Sequence, residues 1–401
     1  MLTAAEGLEI IRRAYPELKV HSYTFDRRGQ NNDILIVNGD LVFRFPRTAR
    51  AARQLRVETA ILSGLQGRTT LQVPNPIYLS LGPEAPAGKG AVRTGATGAG
   101  TAAGTAGPTT ATGVTAGTAN GVFEGPTWTR PLRGRVCPRH RPRPVAEPDQ
   151  APGQRGPDGR MPWERGLGGR LPWEREKEER ERRGSPAERS PGAQGVFVGY
   201  RRIPGEPLWR DTLLATVDPG TVQAWADQLG TFLSELHSTP VDGNLGQMLR
   251  PFNPRSRWED FYRRVREKVF PHMRPDARTQ VSRMIESFLG DPSNFEHPFV
   301  LVHGDFGPSN ILLDCKAQRG TGVIDFGSSG LDDPAVDLAA LLGPFSYGEA
   351  FLRRLARTYP VTSELVERAK FYAATFPLQD AVYGIENNDP EAFKWGIAPY
   401  R

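Results

Sequence analysis

Apolar and polar positions alternate through "DILIVNG" and "LVFRFP", and the Asn38-Gly39 pair between them is a hairpin signal, so two antiparallel strands are expected here. The period then changes. "ARAARQLRVETAILSGL" repeats its apolar residues at helical spacing, and "VPNPIYLS" returns to a strand pattern. After a long interval, "GVFVGYRRIPGEPLW" supplies one more strand and a Pro-Gly turn. Residues 20–200 therefore predict a small sheet with one helix. At the very start, "MLTAAEGLEIIRRAYPELKV" reads as an amphipathic helix, with Thr3 and Glu6 spaced as a capping box. The second half is helical in period. "DPGTVQAWADQLGTFLSELHS" opens with Asp218 as N-cap and Pro219 in the first turn, and Trp225 and Phe232 fall on its core face. Further helices are expected over 256–270, 276–289, 334–342, 347–358, 362–375 and 377–388. Short apolar runs flank "HGDFGPSN" and lead into "TGVIDFG". The pattern predicts an α+β chain with a β-rich small lobe and an α-rich large lobe.

The interval is compositionally foreign. Residues 82–126 are mostly Gly, Ala and Thr, and residues 127–160 are rich in Arg and Pro; "GRMPWER" and "GRLPWER" then repeat before the mixed-charge run "EREKEERERR". Such a segment buries too little apolar surface to offset about 1–2 kcal/mol of backbone entropy per residue, which predicts a disordered insertion with at most a short helix near 173–183. It is either a tolerated expansion of a surface loop or an arm for an acidic partner, anchored by Trp163 and Trp173. The chain then divides into a first part of the small lobe (1–81), the insertion (82–195), a last strand with the inter-lobe connector (196–206), and a helical lobe (207–401).

Charge changes the picture only locally. The net charge is +6, but residues 82–195 hold 18 Lys/Arg against 12 Asp/Glu, so the insertion carries all of it. The rest is balanced, which argues against nucleic acid as a partner of the folded part. Binding through the insertion alone would be steeply salt-dependent. Two cysteines, Cys137 and Cys315, are too few for a disulfide framework and fit a reducing cytoplasm. No segment has the ~20 apolar residues of a membrane span.

The chemistry lies in "VLVHGDFGPSNILLD" and "VIDFGSSG". Asp305, Asn310 and Asp325 break into apolar runs where a plain hairpin needs no such side chains. A loop carboxylate accepts a proton from a hydroxyl, and an amide oxygen with a carboxylate suits Mg²⁺. Strands flanking Asp305 and Asp325 would pair and bring both carboxylates to one end of the lobe.

"HGDFGPSN" resembles the catalytic loop of the aminoglycoside phosphotransferase family, which shares the protein-kinase fold, and "IDFG" resembles its metal motif. The resemblance covers about residues 20–80 and 195–400. It implies Asp305 as base, Asn310 and Asp325 as magnesium ligands, and His303 as support of the loop. In "DDPAVDLAAL", it implies that Asp337 holds the loop backbone. "LVFRFPR" and "RVETAIL" are similar to the strand and helix that carry the phosphate-binding cation and its acidic partner, which assigns Arg44 and Glu58. Arg44 stands where the wider kinase pattern has Lys. The glycine-rich loop is thin in "DRRGQNNDI", with Gly29, Asn31 and Asn32 as its candidates. "FVGYRRIPGEPL" resembles the connector, where backbone groups of Tyr200, Arg201 and Arg202 would meet the purine of ATP or GTP. Asp380, Tyr383, Glu386 and Asp389 of the C-terminal stretch stand where relatives bind the amines of a cationic acceptor. Rival acceptors are macrolides, choline-like alcohols, homoserine and sugar amines, and a rival class is a nucleotide-binding module without turnover. His237 reads as a helix C-terminal residue, and His21, His140, His272 and His297 show no metal-ligand spacing.

Overall fold

A computed structural model describes residues 2–27, 31–82, 190–216, 218–249, 252–343 and 345–401. The expected disorder of the insertion, its helix near 173–183, Trp163, Trp173 and Gly29 lie outside the described residues.

The small lobe consists of α1 (Ala4–Ala14), β1 (Tyr23–Asp26), β2 (Asn32–Val37), β3 (Leu41–Pro46), α2 (Ala49–Leu65), β4 (Pro76–Ser80) and β5 (Phe197–Arg201). The five strands form one antiparallel sheet in the order β1-β2-β3-β5-β4. Asn38 (φ 54°) and Gly39 (φ 79°) turn the β2–β3 hairpin, and the Asp40 N–H closes it on the Val37 carbonyl at 3.2 Å. Thr3 and Glu6 form the capping box of α1. The two-residue strand period decides what each face carries. Leu35, Val37, Phe43, Phe45 and Phe197 are fully or nearly fully buried against α1, each contributing about 1.5–3 kcal/mol of burial. Ile34, Ile36, Val42 and Arg44 point the other way. Arg44 is thus on an interior strand, not an exposed edge.

The large lobe follows through β6 (Glu206–Pro207), α3 (Arg210–Ala215), α4 (Pro219–His237), α5 (Gly243–Met248), α6 (Pro254–Arg264) and α7 (Pro275–Gly290). Then come β7 (Val300–Val302), β8 (Ile311–Asp314), β9 (Arg319–Val323), β10 (Gly330–Asp332), α8 (Ala335–Leu342), α9 (Glu349–Leu355), α10 (Ser363–Glu386) and α11 (Pro390–Ile397). The expected hairpin forms as β8 with β9, and β7 also pairs with β10 across the loops. Trp225 and Phe232 of α4 are 2% and 0% exposed. The helix expected over 256–270 is α-helical only to Arg264, continuing as a π turn Val265–Val269 and a 3-10 turn. The two helices expected over 362–375 and 377–388 are one, α10, with Pro377 inside it. Proline removes a single helical donor, and Gln379 and Thr375 hydroxyl and amide groups bond along the same turn. No helix among the described residues is long and apolar enough to cross a membrane.

Ser80 is the register partner of Phe197, and the Ser80 hydroxyl donates to the Gly195 carbonyl at 2.6 Å. The long intervening segment therefore leaves and rejoins the sheet at neighbouring positions, at the end of β5 opposite the connector. Residues 190–195, expected in the insertion, are part of the folded body: a 3-10 turn, Gly192–Gln194, packs on β3. Removing residues 83–189 and bridging Gly82 to Ser190 with a short Gly/Ser linker is expected to leave the fold intact and the melting temperature within a few degrees. Calorimetry and a thermal melt check this, and failure of the shortened chain to fold would contradict it.

Candidate active site

A cleft of about 540 Å³ runs between the sheet and the large lobe. Ile34, Ile36 and Val42 roof it, and Leu312 and Ile324 lie on its opposite wall. Arg44 crosses it from β3. Its Nη1 donates to Glu58 Oε1 of α2 at 2.5 Å and its Nη2 to Asp325 Oδ1 at 3.3 Å. Burial alone would lower the Arg44 pKa, but Glu58, Tyr200 and Asp325 hold it above its ordinary value, so the guanidinium stays charged. Burial likewise pushes the Tyr200 hydroxyl up to about 12 against the pull of Arg44. Gln54, one helical turn before Glu58, donates from Nε2 to the Gly327 carbonyl. Two residues of α2 thus hold the segment around Asp325.

The loop after β7 is fixed from below. Asp337, fully buried at the start of α8, accepts the His303 and Gly304 N–H groups at 2.8 Å each. His237 at the end of α4 meets Asp337 Oδ2 through Nε2 at 3.0 Å and the Tyr359 hydroxyl through Nδ1 at 2.7 Å. His303 is also fully buried: its Nδ1 accepts the Asp305 N–H at 3.2 Å, which leaves the proton on Nε2, facing the Ile324 carbonyl at 3.0 Å. Burial pushes its pKa down against the pull of Asp337, in keeping with a neutral ring. Gly304 sits at φ 81°, and a Cβ there would lie 2.2 Å from the Ser328 carbonyl oxygen. The loop and the segment carrying Asp325 therefore pass each other with no room for a side chain.

Asn310 Nδ2 donates to the Asp305 backbone carbonyl at 2.9 Å and to Asp305 Oδ2 at 3.0 Å. The other Asp305 oxygen takes no hydrogen bond among the described residues, and Asp305 lines the cleft. Burial and then the charge of Asp325 raise the Asp305 pKa well above the carboxylate range, with Asn310 opposing. Asp325 adopts φ 65° and is 55% exposed at its side chain.

Asn31, Asn32, Tyr200 and Arg202 line the same cleft. Arg201 does not: its guanidinium turns outward to Asp40 at 3.1 Å. The Arg202 N–H is also taken, by the Asp40 carbonyl at 2.6 Å. At the connector the Ile203 and Gly205 N–H groups make no hydrogen bond among the described residues, and both residues line the cleft. Side-chain identity carries no signal for a backbone N–H. Gln54 was also unforeseen, although its helical spacing from Glu58 marks it.

The four acceptor candidates are outside the cleft lining. Glu386 is already neutralised, by Nε and Nη2 of Arg264 and by Lys268 Nζ at 2.6 Å. Asp389 caps α11, accepting the Glu391 and Ala392 N–H groups at 3.1 Å. Both acids thus have partners within the protein. Asp380 accepts no hydrogen bond among the described residues, and burial followed by the charge of Asp389 raises its pKa to about 7.

No cluster of three His, Cys, Asp or Glu residues among the described residues could hold a metal alone. The donor set available in the cleft is all oxygen: the Asn310 amide carbonyl, left over by its Nδ2 bonds, and the Asp325 carboxylate. That set fits a hard cation that shares its remaining positions with phosphate oxygens.

A family model described as "Phosphotransferase enzyme family" matches residues 175–372. A viomycin phosphotransferase of Streptomyces vinaceus is 34% identical over 217 residues, spanning 52% of this chain and 72% of the relative. Among solved structures, the GDP complex of an aminoglycoside 2'-phosphotransferase-IIIa superposes with TM-score 0.65 at 18% identity, covering 99% of this chain and 96% of the other. Macrolide 2'-phosphotransferase type I superposes with TM-score 0.57 at 18% identity, covering 100% and 98%. These structures share the two-lobed, kinase-like fold. The chain belongs to the phosphotransferase enzyme family and is a phosphotransferase.

Proposed function

We propose that this phosphotransferase moves the γ-phosphoryl group of ATP or GTP onto a hydroxyl of an aminoglycoside or a similarly aminated antibiotic, in the cytoplasm, where nucleoside triphosphate is available. The observation that carries the reading is the cleft itself. Arg44, Glu58, Asp305, Asn310 and Asp325 surround one space, and Asp305 has an oxygen free toward it.

In this reading Asp305 accepts the acceptor's hydroxyl proton as that oxygen forms its bond to the γ-phosphorus and the bond to the β-phosphate bridging oxygen breaks, releasing nucleoside diphosphate. Asn310 orients the base through its two Nδ2 bonds, and His303 and Asp337 fix the loop backbone under it. Arg44 offers the phosphates a permanent cation, positioned by Glu58. Asn310 and Asp325 would hold Mg²⁺, which when bound neutralises charge on the phosphate oxygens. The Ile203 N–H is the donor for a purine edge. An aminated acceptor is supported by the viomycin phosphotransferase relative and by Asp380, an acid of α10 that accepts no hydrogen bond among the described residues. Solved neighbours in complex with GDP and with ADP support nucleotide use.

The test is a purified-enzyme panel pairing ATP and GTP with viomycin, kanamycin, gentamicin, a macrolide and small amino alcohols, read by product mass. Addition of one phosphoryl group to an aminated antibiotic is expected. Product from the macrolide alone, or from none of them, would overturn the acceptor assignment.

A further inference from the structure

We infer that Arg47 is a positioning residue for the phosphate side of the cleft, fixing Asn31 and Asn32 where the nucleotide binds. The inference rests on the nucleotide reading above. Arg47 immediately follows β3 and does not itself line the cleft. Its backbone N–H donates to the Asn31 carbonyl at 2.9 Å. Its Nη2 donates to the Arg27 carbonyl at 2.6 Å and its Nε to Asp33 Oδ1 at 2.9 Å. One residue therefore grips the chain on both flanks of the β1–β2 connection and also ties down the strand that follows it. The Asp33 side chain is 5% exposed and the Arg47 side chain 30%, so the pair is largely shielded from water.

The need for such a grip follows from the sequence. Phosphate-binding connections commonly rely on several glycines, whose backbone N–H groups approach the phosphates directly. Here there is a single glycine, Gly29, followed by two asparagines. Both asparagines line the cleft, and Asn32 is only 8% exposed. Its Oδ1 is buried without a hydrogen-bond partner, so the amide is not oriented by a neighbouring side chain. Its position depends on the backbone, which the Arg47 side chain holds on one flank through the Arg27 carbonyl and on the other through Asp33, while the Arg47 N–H bond to Asn31 is common to every variant. A side-chain amide serves a phosphate only when it is held close to the productive geometry, because an ångström of misplacement costs much of the contact.

The fork geometry of arginine matters. A lysine at this position reaches Asp33 and restores the ion pair, but a single ammonium on a flexible stem does not also hold the Arg27 carbonyl. The two variants Arg47→Lys and Arg47→Met thus separate the positioning role from ordinary stabilisation. The measurement uses the full chain: titration calorimetry of Mg·ADP and Mg·GDP, the KM of nucleotide and of acceptor, and a thermal melt of each protein. Arg47→Met is expected to weaken nucleotide binding about tenfold, with the acceptor KM within about twofold of the parent. Arg47→Lys is expected to melt near the parent temperature yet bind nucleotide several-fold more weakly. If Arg47→Met does not fold, Arg47→Lys decides. Parental nucleotide affinity in Arg47→Lys, or nucleotide and acceptor affinities falling together with the melting temperature, would overturn the inference. A parent chain that binds neither ADP nor GDP would instead sink the nucleotide reading, and this inference with it.

Discussion

Replacing Asp305 with Asn is expected to lower kcat by a factor on the order of 10²–10⁴ while leaving nucleotide affinity within about twofold. The variant is close to isosteric, so the argument is about protons. In the parent, Asp305 Oδ2 takes the Asn310 Nδ2 hydrogen bond and the other oxygen is free toward the cleft. An amide at position 305 satisfies Asn310 only by giving it the oxygen, which turns its own NH₂ toward the acceptor. A donor stands where an acceptor is needed, and the hydroxyl proton has nowhere to go. Stability provides an internal control. The Asp305 pKa is raised by burial and by the charge of Asp325, so the ionised form is disfavoured in the folded state. A carboxyl whose folded pKa lies above its unfolded value costs stability once the pH exceeds the unfolded value. The neutral amide removes that cost, and the melting temperature at pH 7 should equal or exceed the parent's. Single-turnover kinetics and a thermal melt check both halves. Parental turnover by the variant would end the role proposed for Asp305.

Much of this architecture is legible in the chain because two simple periods dominate it. The β2–β3 hairpin, α2 and the capping box of α1 lie where alternation, helical spacing and turn residues put them. Where the reading failed, the cause is a partner distant in sequence. Glu386 looked available on its helix, yet Arg264 and Lys268, more than a hundred residues earlier, neutralise it through the π turn that follows α6. Asp389 precedes Pro390, and an acid before a proline marks a helix start, the role it takes as the cap of α11. A break before Pro377 separates the two helices expected over 362–375 and 377–388, whereas the packing of α10 against α11 carries one helix through it. At the connector, the Arg201 guanidinium and the Arg202 N–H both go to Asp40, which leaves backbone donors such as that of Ile203 for the cleft, and no side chain signals this. The cleft's polar residues were readable as a motif. Their supports, Gln54, His237 and Tyr359, touch them only in three dimensions.

Among the residues that hold the catalytic loop, Asp337 carries the most. Its two oxygens serve three donors, the His303 and Gly304 N–H groups and His237 Nε2, in a site with no solvent exposure. Asp337→Ala strands all three in the protein interior, and each orphaned donor costs roughly 1–3 kcal/mol, so a loss of about 3 kcal/mol or more of stability is expected. The kinetic effect should be larger than stability alone explains. Asp305 follows Gly304 directly, and its own N–H is held by His303 Nδ1 at 3.2 Å, so releasing the His303–Gly304 backbone moves the base. A displacement of about an ångström at a reacting group lowers kcat on the order of a hundredfold. Asp337→Asn separates the two effects. It keeps the volume and one acceptor oxygen but turns an NH₂ toward a backbone donor, so one of the two loop N–H bonds survives. Its stability should fall between those of the parent and Asp337→Ala, with kcat still reduced at least tenfold. Urea denaturation and kcat measured well below the unfolding midpoint are the readouts. If kcat of the folded fraction were unchanged in both variants, Asp337 would be a stabilising residue only, and the loop would owe its geometry to Gly304 and His303.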